Sequence, residues 1–195
     1  MEIDWKDGMA EFFGCLVFTW VLATAAADGG AADTLLLGVA LIVIWATFSG
    51  AHIIPALTVG KMFNDQDWEG GGTKLVWQIL GTVGAGVLGL LAGADAPAQA
   101  AADAFAFDVT QVLTMVVGGG VLYMVWTRCD AWVTAFGVAI AAGAMTLDGG
   151  VSVGGMLGGL ASGNSFDINT LVAYVYTMVL AGAGAMIAVK VDEQL

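Results

Sequence analysis

Charged residues are scarce in this chain. Only 11% of its 195 residues are Asp, Glu, Lys or Arg, whereas soluble domains carry about 25%. Hydrophobic residues make up 59% of the chain, and the mean hydropathy is +0.88. These values exclude an ordinary soluble domain, so we expect the lipid bilayer to be the solvent and the main partner of this chain.

Basic residues, cysteines and histidines are scarcer still. Five Lys and Arg stand against 17 Asp and Glu, and a formal net charge of −12 with no basic stripe argues against binding to nucleic acid. The two cysteines and the single histidine have no metal-type spacing, so we expect no disulfide framework, no metal site and no cofactor. No nucleophile is flanked by a base, and we therefore do not expect an enzyme.

Long apolar runs fill almost the whole chain. A membrane-spanning helix needs about 20 mostly apolar residues, and turn-rich or charged stretches divide this chain into six runs of that kind. The predicted spans are 10–27, 34–48, 74–93, 109–127, 132–146 and 169–189. The sequence thus predicts an all-α membrane protein with six transmembrane helices, formed by a single domain over residues 1–195.

The few basic residues predict how the chain lies in the membrane. All five fall before the first span, after the last span or in every second connection: Lys6, Lys61, Lys74, Arg128 and Lys190. The other connections, 28–33, 94–108 and 147–168, contain no Lys or Arg. Because Lys and Arg concentrate in cytoplasmic loops, we expect an integral protein of the cell membrane with both termini in the cytoplasm.

The chain also carries a weak internal repeat at a displacement of 100 residues. Ala-Glu-Phe at 10–12 corresponds to Thr-Gln-Val at 110–112, and Ser-Gly-Ala-His at 49–52 corresponds to Gly-Gly-Val-Ser at 149–152. The half-repeats, about 8–93 and 108–190, are joined by a predicted outer loop, 94–107. An odd number of spans in each half inverts the second copy, and inverted repeats place broken helices at the bilayer midplane.

Two short re-entrant half-helices are predicted, one in each half. In the first, residues 49–61, Gly50 permits a sharp turn, Pro55 suits the first helical position and Lys61 suits the C-terminal end. The second, residues 149–163, is rich in glycine. Backbone of this kind inside a bilayer must pack against protein or line a cavity. We expect two helix N-termini that face each other across a pore.

Several of these segments resemble the aquaporins, the major intrinsic protein family. Ser-Gly-Ala-His-Ile-Ile-Pro-Ala-Leu-Thr at 49–58 resembles the first signature loop of that family, with Ile where the family has the Asn of its Asn-Pro-Ala motif. Residues 10–14, 78–86 and 127–130 resemble the opening of the first helix, the third helix and the turn after the fourth. The resemblance implies an aquaporin-like fold and a passive channel that assembles as a homotetramer.

The resemblance also assigns the residues of the pore. It places three residues of each half at the pore centre: Ile54, Pro55, Ala56, Gly154, Gly155 and Met156. It places four residues at the outer constriction: Thr34, Ala142, Val151 and Leu157. Because the family's two signature Asn residues and its selectivity Arg are missing, we expect a pore that is not strictly water-selective. Such a pore passes gases and weakly polar solutes, or it dewets and closes.

Glu11 is the one acidic residue inside a predicted span, and a carboxyl group within a membrane is costly enough to indicate a function. The resemblance implies that Glu11 braces the first re-entrant loop through His52, and the repeat supplies Gln111 with Ser152 as the neutral counterpart. The alternative is that Glu11 belongs to a proton relay or an ion site.

Two functions follow from these predictions. The first is a passive channel for water, small neutral solutes or gases, such as glycerol-like molecules or ammonia. The second is a non-conducting, aquaporin-like structural subunit of a membrane complex, because the pore residues of the family are missing. Transport across a liposome membrane distinguishes the two.

Overall fold

A computed structural model of the protein describes residues 5–28, 31–48, 50–92, 108–145 and 168–195, with the side chains of these residues apart from 22–28, 31–34 and 140–145. In these parts of the chain the backbone forms seven helices and no strand. The helices are α1 (Trp5–Asp28), α2 (Ala31–Thr47), α3 (Pro55–Asp65), α4 (Trp68–Leu91), α5 (Val109–Arg128), α6 (Ala131–Met145) and α7 (Ile168–Asp192). The described chain is therefore all-α. Each predicted span falls on one helix, and α3 begins in the first predicted re-entrant segment, 49–61, and extends four residues beyond it.

Three of these helices, α4, α5 and α7, are long and apolar enough to cross a membrane. A shorter apolar stretch, Leu35–Thr47, lies in α2. Their outward side chains are apolar: Val76 on α4, Val117 on α5 and Val175 on α7 are each more than half exposed. A surface of this kind suits lipid better than water. The described helices thus indicate an all-α membrane protein.

Aspartate side chains begin two of the long helices. Asp67 Oδ1 accepts a hydrogen bond from the Gly70 N–H at 2.9 Å at the start of α4. Asp108 Oδ1 accepts one from the Thr110 N–H at 2.7 Å at the start of α5. The first N–H groups of a helix have no partner within the helix, so each aspartate contributes about 1 kcal/mol to helix stability. The Asp67 cap explains why α4 begins at Trp68, before the predicted span at 74–93.

The starts of α1 and α4 lie beside the end of α3. Lys74 Nζ of α4 is 3.7 Å from Asp7 Oδ2 of α1. The rings of Phe63 and Trp68 pack edge to face across the short connection between α3 and α4, with centroids 5.3 Å apart. These contacts bring the first residues of α1 and α4 and the last residues of α3 to one end of the molecule.

The ends of α5 and α7 lie at the same end of the molecule. Arg128, the last residue of α5, forms an ion pair with Asp192, the last residue of α7. In the middle of α3, a Cβ added at Gly60 would contact Tyr123 of α5 and Ala185 of α7. We call this the basic end, because all five basic residues of the chain lie there: Lys6, Lys61, Lys74, Arg128 and Lys190.

Two helix pairs are built alike and point in opposite directions. α1 packs against α4 and both start at the basic end, whereas α5 packs against α7 and both finish there. In the first pair, a Cβ at Gly81 would overlap the carbonyl oxygen of Phe12. In the second pair, a Cβ at Gly184 would overlap the carbonyl oxygen of Val116. Glycine at these two positions permits the close approach of the helix backbones.

The backbone contacts of the two pairs can be compared with the displacement of 100 residues in the sequence: the two glycines, Gly81 and Gly184, lie 103 positions apart. Val116 lies 104 positions after Phe12, whereas the sequence pattern predicts a displacement of 100. At 104, Glu11 corresponds to Met115, and both are buried, with 0% and 4% of their surface exposed. At 100, Glu11 would correspond to Gln111, which is exposed. A shift of four residues turns a helix by only about 40° beyond a full turn, so the apolar pattern alone does not separate the two registers.

Candidate functional site

The start of α3 lies in the interior of the described chain. Residues 51–54 and 56–60 are buried, whereas Asp65 at the other end of α3 is exposed. Two neighbours of this start, Cys15 of α1 and Gln78 of α4, each stand eleventh in a helix of 24 residues. At a rise of about 1.5 Å per residue they lie about 15 Å from the beginnings of their helices. α3 therefore begins near the midpoints of α1 and α4 and ends at the surface.

A strained turn leads into α3. Ile53 has a φ of 67°, in the left-handed region that β-branched residues avoid. The Ile54 N–H donates a hydrogen bond to the His52 carbonyl oxygen at 2.7 Å, which closes a γ-turn of the rare positive-φ kind. Such a conformation costs about 1–3 kcal/mol and persists only where its surroundings hold it. The Ile53 side chain is fully buried and lies against Gly14 of α1, where a Cβ would collide with it.

The carboxylate of Glu11 holds this turn. Its Oε1 accepts hydrogen bonds from the His52 backbone N–H at 2.7 Å and from Lys74 Nζ at 3.2 Å. Its Oε2 accepts hydrogen bonds from the Ile53 backbone N–H at 2.7 Å and from Gln78 Nε2 at 2.8 Å. Glu11 is fully buried, and these four donors, one of them cationic, offset the cost of removing a carboxylate from water. Because both oxygens are occupied, the arrangement favours a brace over a proton relay.

The imidazole of His52 belongs to a second part of the same network. Glu11 contacts the backbone of His52 and not its ring. The ring nitrogen Nδ1 is instead 3.2 Å from Thr58 Oγ1, which also accepts a hydrogen bond from Gln78 Nε2 at 2.7 Å. The imidazole ring of His52 and the ring of Trp126 in α5 pack edge to face, with centroids 5.2 Å apart. A continuous polar chain thus runs from Glu11 through Gln78 and Thr58 to His52.

The carbonyl oxygens of the turn also have donors within the protein. The Ala51 oxygen accepts a hydrogen bond from Trp45 Nε1 at 3.0 Å, and the Ile53 oxygen accepts one from Cys15 Sγ at 2.6 Å. The Ile54 oxygen accepts two backbone N–H bonds from the first turn of α3. With the His52 oxygen engaged in the γ-turn, every carbonyl of residues 51–54 is held. The backbone that precedes α3 is therefore fixed from both sides.

Ile54, Pro55 and Ala56 form the beginning of α3. Ile54 is the N-cap residue and makes no side-chain hydrogen bond to the helix, and Pro55 occupies the first turn. Proline fits there because its missing N–H would have no partner in the helix. Ile54 and Ala56 are buried. The positive end of α3 is thus enclosed and covered by an apolar residue.

The other predicted site residues lie away from this network or outside the described residues. Gln111 is exposed in the first turn of α5, where its N–H is 3.4 Å from Asp108 Oδ1. Thr34 lies in α2 and Ala142 in α6, with side chains outside the described set. The rest lie outside the described residues, together with segments 94–107 and 149–163: Val151, Ser152, Gly154, Gly155, Met156 and Leu157.

Sequence reasoning did not assign Lys74, Gln78, Thr58 or Cys15 to this site. Part of the signal was present, because Lys74 and Gln78 are polar residues four positions apart and therefore share a helix face. Cys15 has the same spacing from Glu11. Polar residues at helical spacing within predicted spans could have indicated one network that joins α1 to α4.

The described side chains supply hydrogen bonds and charge pairing, and no described group of three or more His, Cys, Asp and Glu could hold a metal ion. The site combines a buried anion, a partly exposed cation and a fixed loop at a helix start.

No protein-family model matches this chain, and no curated protein matches it either.

Proposed function

We propose that this protein is an aquaporin-like membrane channel that passes small neutral solutes or gases along a path beside the start of α3. The observation that carries the proposal is the position of α3, which begins in the interior and ends at the basic end. Its 11 residues span about 16 Å, roughly half of the ~30 Å hydrocarbon core. A helix of this length is too short to cross a bilayer and suits a re-entrant half-helix.

Six spans and an inverted repeat complete the proposed fold. The helices other than α3 provide the six spans, and the opposite directions of the α1–α4 and α5–α7 pairs support the inversion. In such a repeat, residues 149–163 form the second half-helix and meet α3 at the midplane. Ile54 and Gly154 then face each other at the centre of the path. Four residues form its outer constriction: Thr34, Ala142, Val151 and Leu157.

The basic end is proposed to face the cytoplasm. All five Lys and Arg lie there, and Lys and Arg concentrate on the cytoplasmic side of membrane proteins. The exposed rings of Trp68 and Trp132 lie at the same end, where amphipathic aromatic side chains suit the boundary between lipid and water. Both termini are then cytoplasmic.

The start of α3 supports a preference for uncharged solutes. Its positive dipole end disfavours cations, and the apolar cap Ile54 supplies no side-chain amide to replace the hydrogen bonds that water loses on entry. Small solutes that lose little on dehydration, such as dissolved gases and ammonia, then pass more readily than water does. The proposed activity is passive and includes no covalent chemistry.

Transport into proteoliposomes tests this proposal. Purified protein is reconstituted, and light scattering after rapid mixing gives the permeability to water, glycerol and ammonia relative to empty vesicles. The proposal predicts that permeability to at least one of these solutes rises in proportion to the amount of protein. Permeability equal to that of empty vesicles for all three would support the alternative, a non-conducting structural subunit.

A further inference from the structure

The side-chain amide of Gln78 lies at the junction of three helices. Gln78 belongs to α4 and is fully buried. Its Nε2 is 2.8 Å from Glu11 Oε2 of α1 and 2.7 Å from Thr58 Oγ1 of α3. The amide therefore joins α1, α3 and α4 in the interior, next to the turn that the Glu11 carboxylate holds.

The orientation of this amide is fixed by the charge on Glu11. Glu11 accepts four hydrogen bonds, one of them from the Lys74 ammonium group, and an ionised carboxylate has no proton to donate. Turning the amide over would place Gln78 Oε1 against the carboxylate, where two acceptors would face each other without a proton. Gln78 Nε2 therefore stays with Glu11, and Gln78 Oε1 faces away from it.

Gln78 Oε1 is buried and has no hydrogen-bond partner among the described residues. An amide oxygen has two lone pairs that accept hydrogen bonds. The large majority of buried polar side-chain atoms in native proteins bond to protein or to ordered water. This oxygen therefore requires a hydrogen-bond donor that the described side chains do not supply.

The charges already present at the junction favour a neutral donor. Lys74 Nζ is 3.2 Å from Glu11 Oε1, so the buried carboxylate already has its cation. A second cation beside Gln78 would have to share that carboxylate with Lys74, and a buried charge without a partner of its own costs far more than a buried neutral molecule. Because Gln78 is fully buried, the donor must also be small.

Thr82 supplies a second acceptor on the same face of α4. It is buried and lies one turn after Gln78. The Thr82 hydroxyl donates its one proton to the Gln78 backbone carbonyl oxygen at 2.8 Å, so Thr82 Oγ1 keeps lone pairs that can accept. Side chains four residues apart on a helix have Cβ atoms about 5–6 Å apart. A water molecule has two protons, and two hydrogen bonds of about 2.8 Å let it bridge acceptors roughly 5 Å apart.

We propose that one water molecule is bound in this junction and donates one proton to Gln78 Oε1 and the other to Thr82 Oγ1. Buried waters of this kind satisfy polar groups that otherwise have no partner and are costly to remove. The water completes the hydrogen bonding of the amide that links Glu11 to Thr58, and it thereby supports the brace at the start of α3. The site does not depend on transport, so its test is independent of the proposed channel function.

A high-resolution map of the protein tests the site directly. Crystals are grown in ammonium-free buffer, so that water is the small neutral donor in the sample. We expect an ordered peak about 2.5–3.0 Å from both Gln78 Oε1 and Thr82 Oγ1. A map that resolves other interior waters and shows no peak at Gln78 Oε1 would overturn the proposal. A peak with six or more oxygen ligands at about 2.3–2.6 Å would also overturn it, because this coordination is that of a metal ion.

Thermal unfolding in detergent provides a second arm. Thr82→Val removes one of the two acceptors of the water. Thr177→Val is the matched control, because Thr177 is buried on α7 and its hydroxyl bonds to the Ala173 carbonyl oxygen at 2.9 Å, the same local bond that Thr82 makes on α4. We expect Thr82→Val to unfold roughly 2–4 °C below Thr177→Val, as the loss of one further neutral hydrogen bond implies.

Serine variants at the same two positions keep the hydroxyl, and we expect Thr82→Ser and Thr177→Ser to unfold within about 1 °C of each other. Equal midpoints for Thr82→Val and Thr177→Val would overturn the proposal, because Thr82 would then hold nothing beyond its own helix. A gap between the two serine variants as large as the gap between the two valine variants would overturn it as well, because the effect would then come from the lost methyl group.

Discussion

The substitution Glu11→Gln tests the brace at the start of α3. The Glu11 carboxylate accepts four hydrogen bonds, two at each oxygen, from His52 N–H, Lys74, Ile53 N–H and Gln78. A glutamine amide has one oxygen and one NH₂ group. Whichever way the amide turns, its NH₂ group faces one of the two backbone N–H groups, which is then left buried without an acceptor.

The size of the effect follows from these contacts. The replaced oxygen loses its two hydrogen bonds, each worth about 1.5–3 kcal/mol because the carboxylate is charged, so we expect the free energy of unfolding to fall by about 3 kcal/mol or more. For a chain of this size, that loss lowers the unfolding midpoint by roughly 6–12 °C. Thermal unfolding of the purified protein in detergent, followed by circular dichroism, measures it. Glu193→Gln is the matched control, because Glu193 is exposed beyond α7.

Two results would refute this reasoning. If Glu11→Gln unfolds within about 2 °C of the wild type and of Glu193→Gln, the four donors do not stabilise the fold to the extent that the geometry implies. If Glu11→Gln keeps its stability and loses transport at a temperature well below the midpoint, Glu11 acts as a proton relay or ion site and the brace is wrong. A brace predicts the converse, lowered stability with transport retained.

Three further predictions follow from the packing and from the cap of α3. Gly72→Ala should raise the free energy of unfolding by about 0.5–1 kcal/mol, because a Cβ at Gly72 meets open space. Gly81→Ala should lower the free energy of unfolding by more than about 2 kcal/mol, because a Cβ at Gly81 overlaps the backbone of α1. Thermal unfolding measures both changes. Gly50→Ala should lower the free energy of unfolding by about 1 kcal/mol, because Gly50 has a φ of 88°, which alanine rarely adopts. Chemical unfolding measures this change, and an unchanged free energy would contradict a positive φ at this turn. Ile54→Asn should raise the water permeability of proteoliposomes several-fold by supplying a side-chain amide, whereas Ile54→Leu should leave it unchanged, and equal permeabilities would contradict the role of the apolar cap.

Helix content was the part of the fold most accessible from sequence. Apolar runs bounded by polar residues predict α5 to begin at Val109, where the structure also begins it. The start of α4 was predicted late, at residue 74, because its first five residues include Glu69 and three glycines that look like a connection. The Asp67 cap offsets their weak helix propensity. Local composition thus located the helices, and capping decided their ends.

The candidate site was only partly accessible from sequence, because its partners are far apart in the chain. Glu11 was recognisable as a lone carboxylate in an apolar run, which must find donors or be very costly. Its donors lie 41 to 67 positions away, and two of them are backbone N–H groups that no side-chain pattern reveals. The left-handed conformation of Ile53 is equally hidden, since β-branched residues rarely adopt it. Contacts that form only after the helices pack were therefore beyond sequence reasoning.

The most direct test of the central claim is a disulfide cross-link between the two proposed half-helix starts. Cysteines are introduced at Ile54 and Gly154 in a protein whose Cys15 and Cys129 have been replaced, and oxidation in membranes is followed by mass spectrometry. A disulfide requires Cα atoms about 4.4–6.8 Å apart. Two half-helices that meet at the midplane predict a disulfide within one chain. Two free thiols after oxidation, in protein that remains folded, would contradict the account.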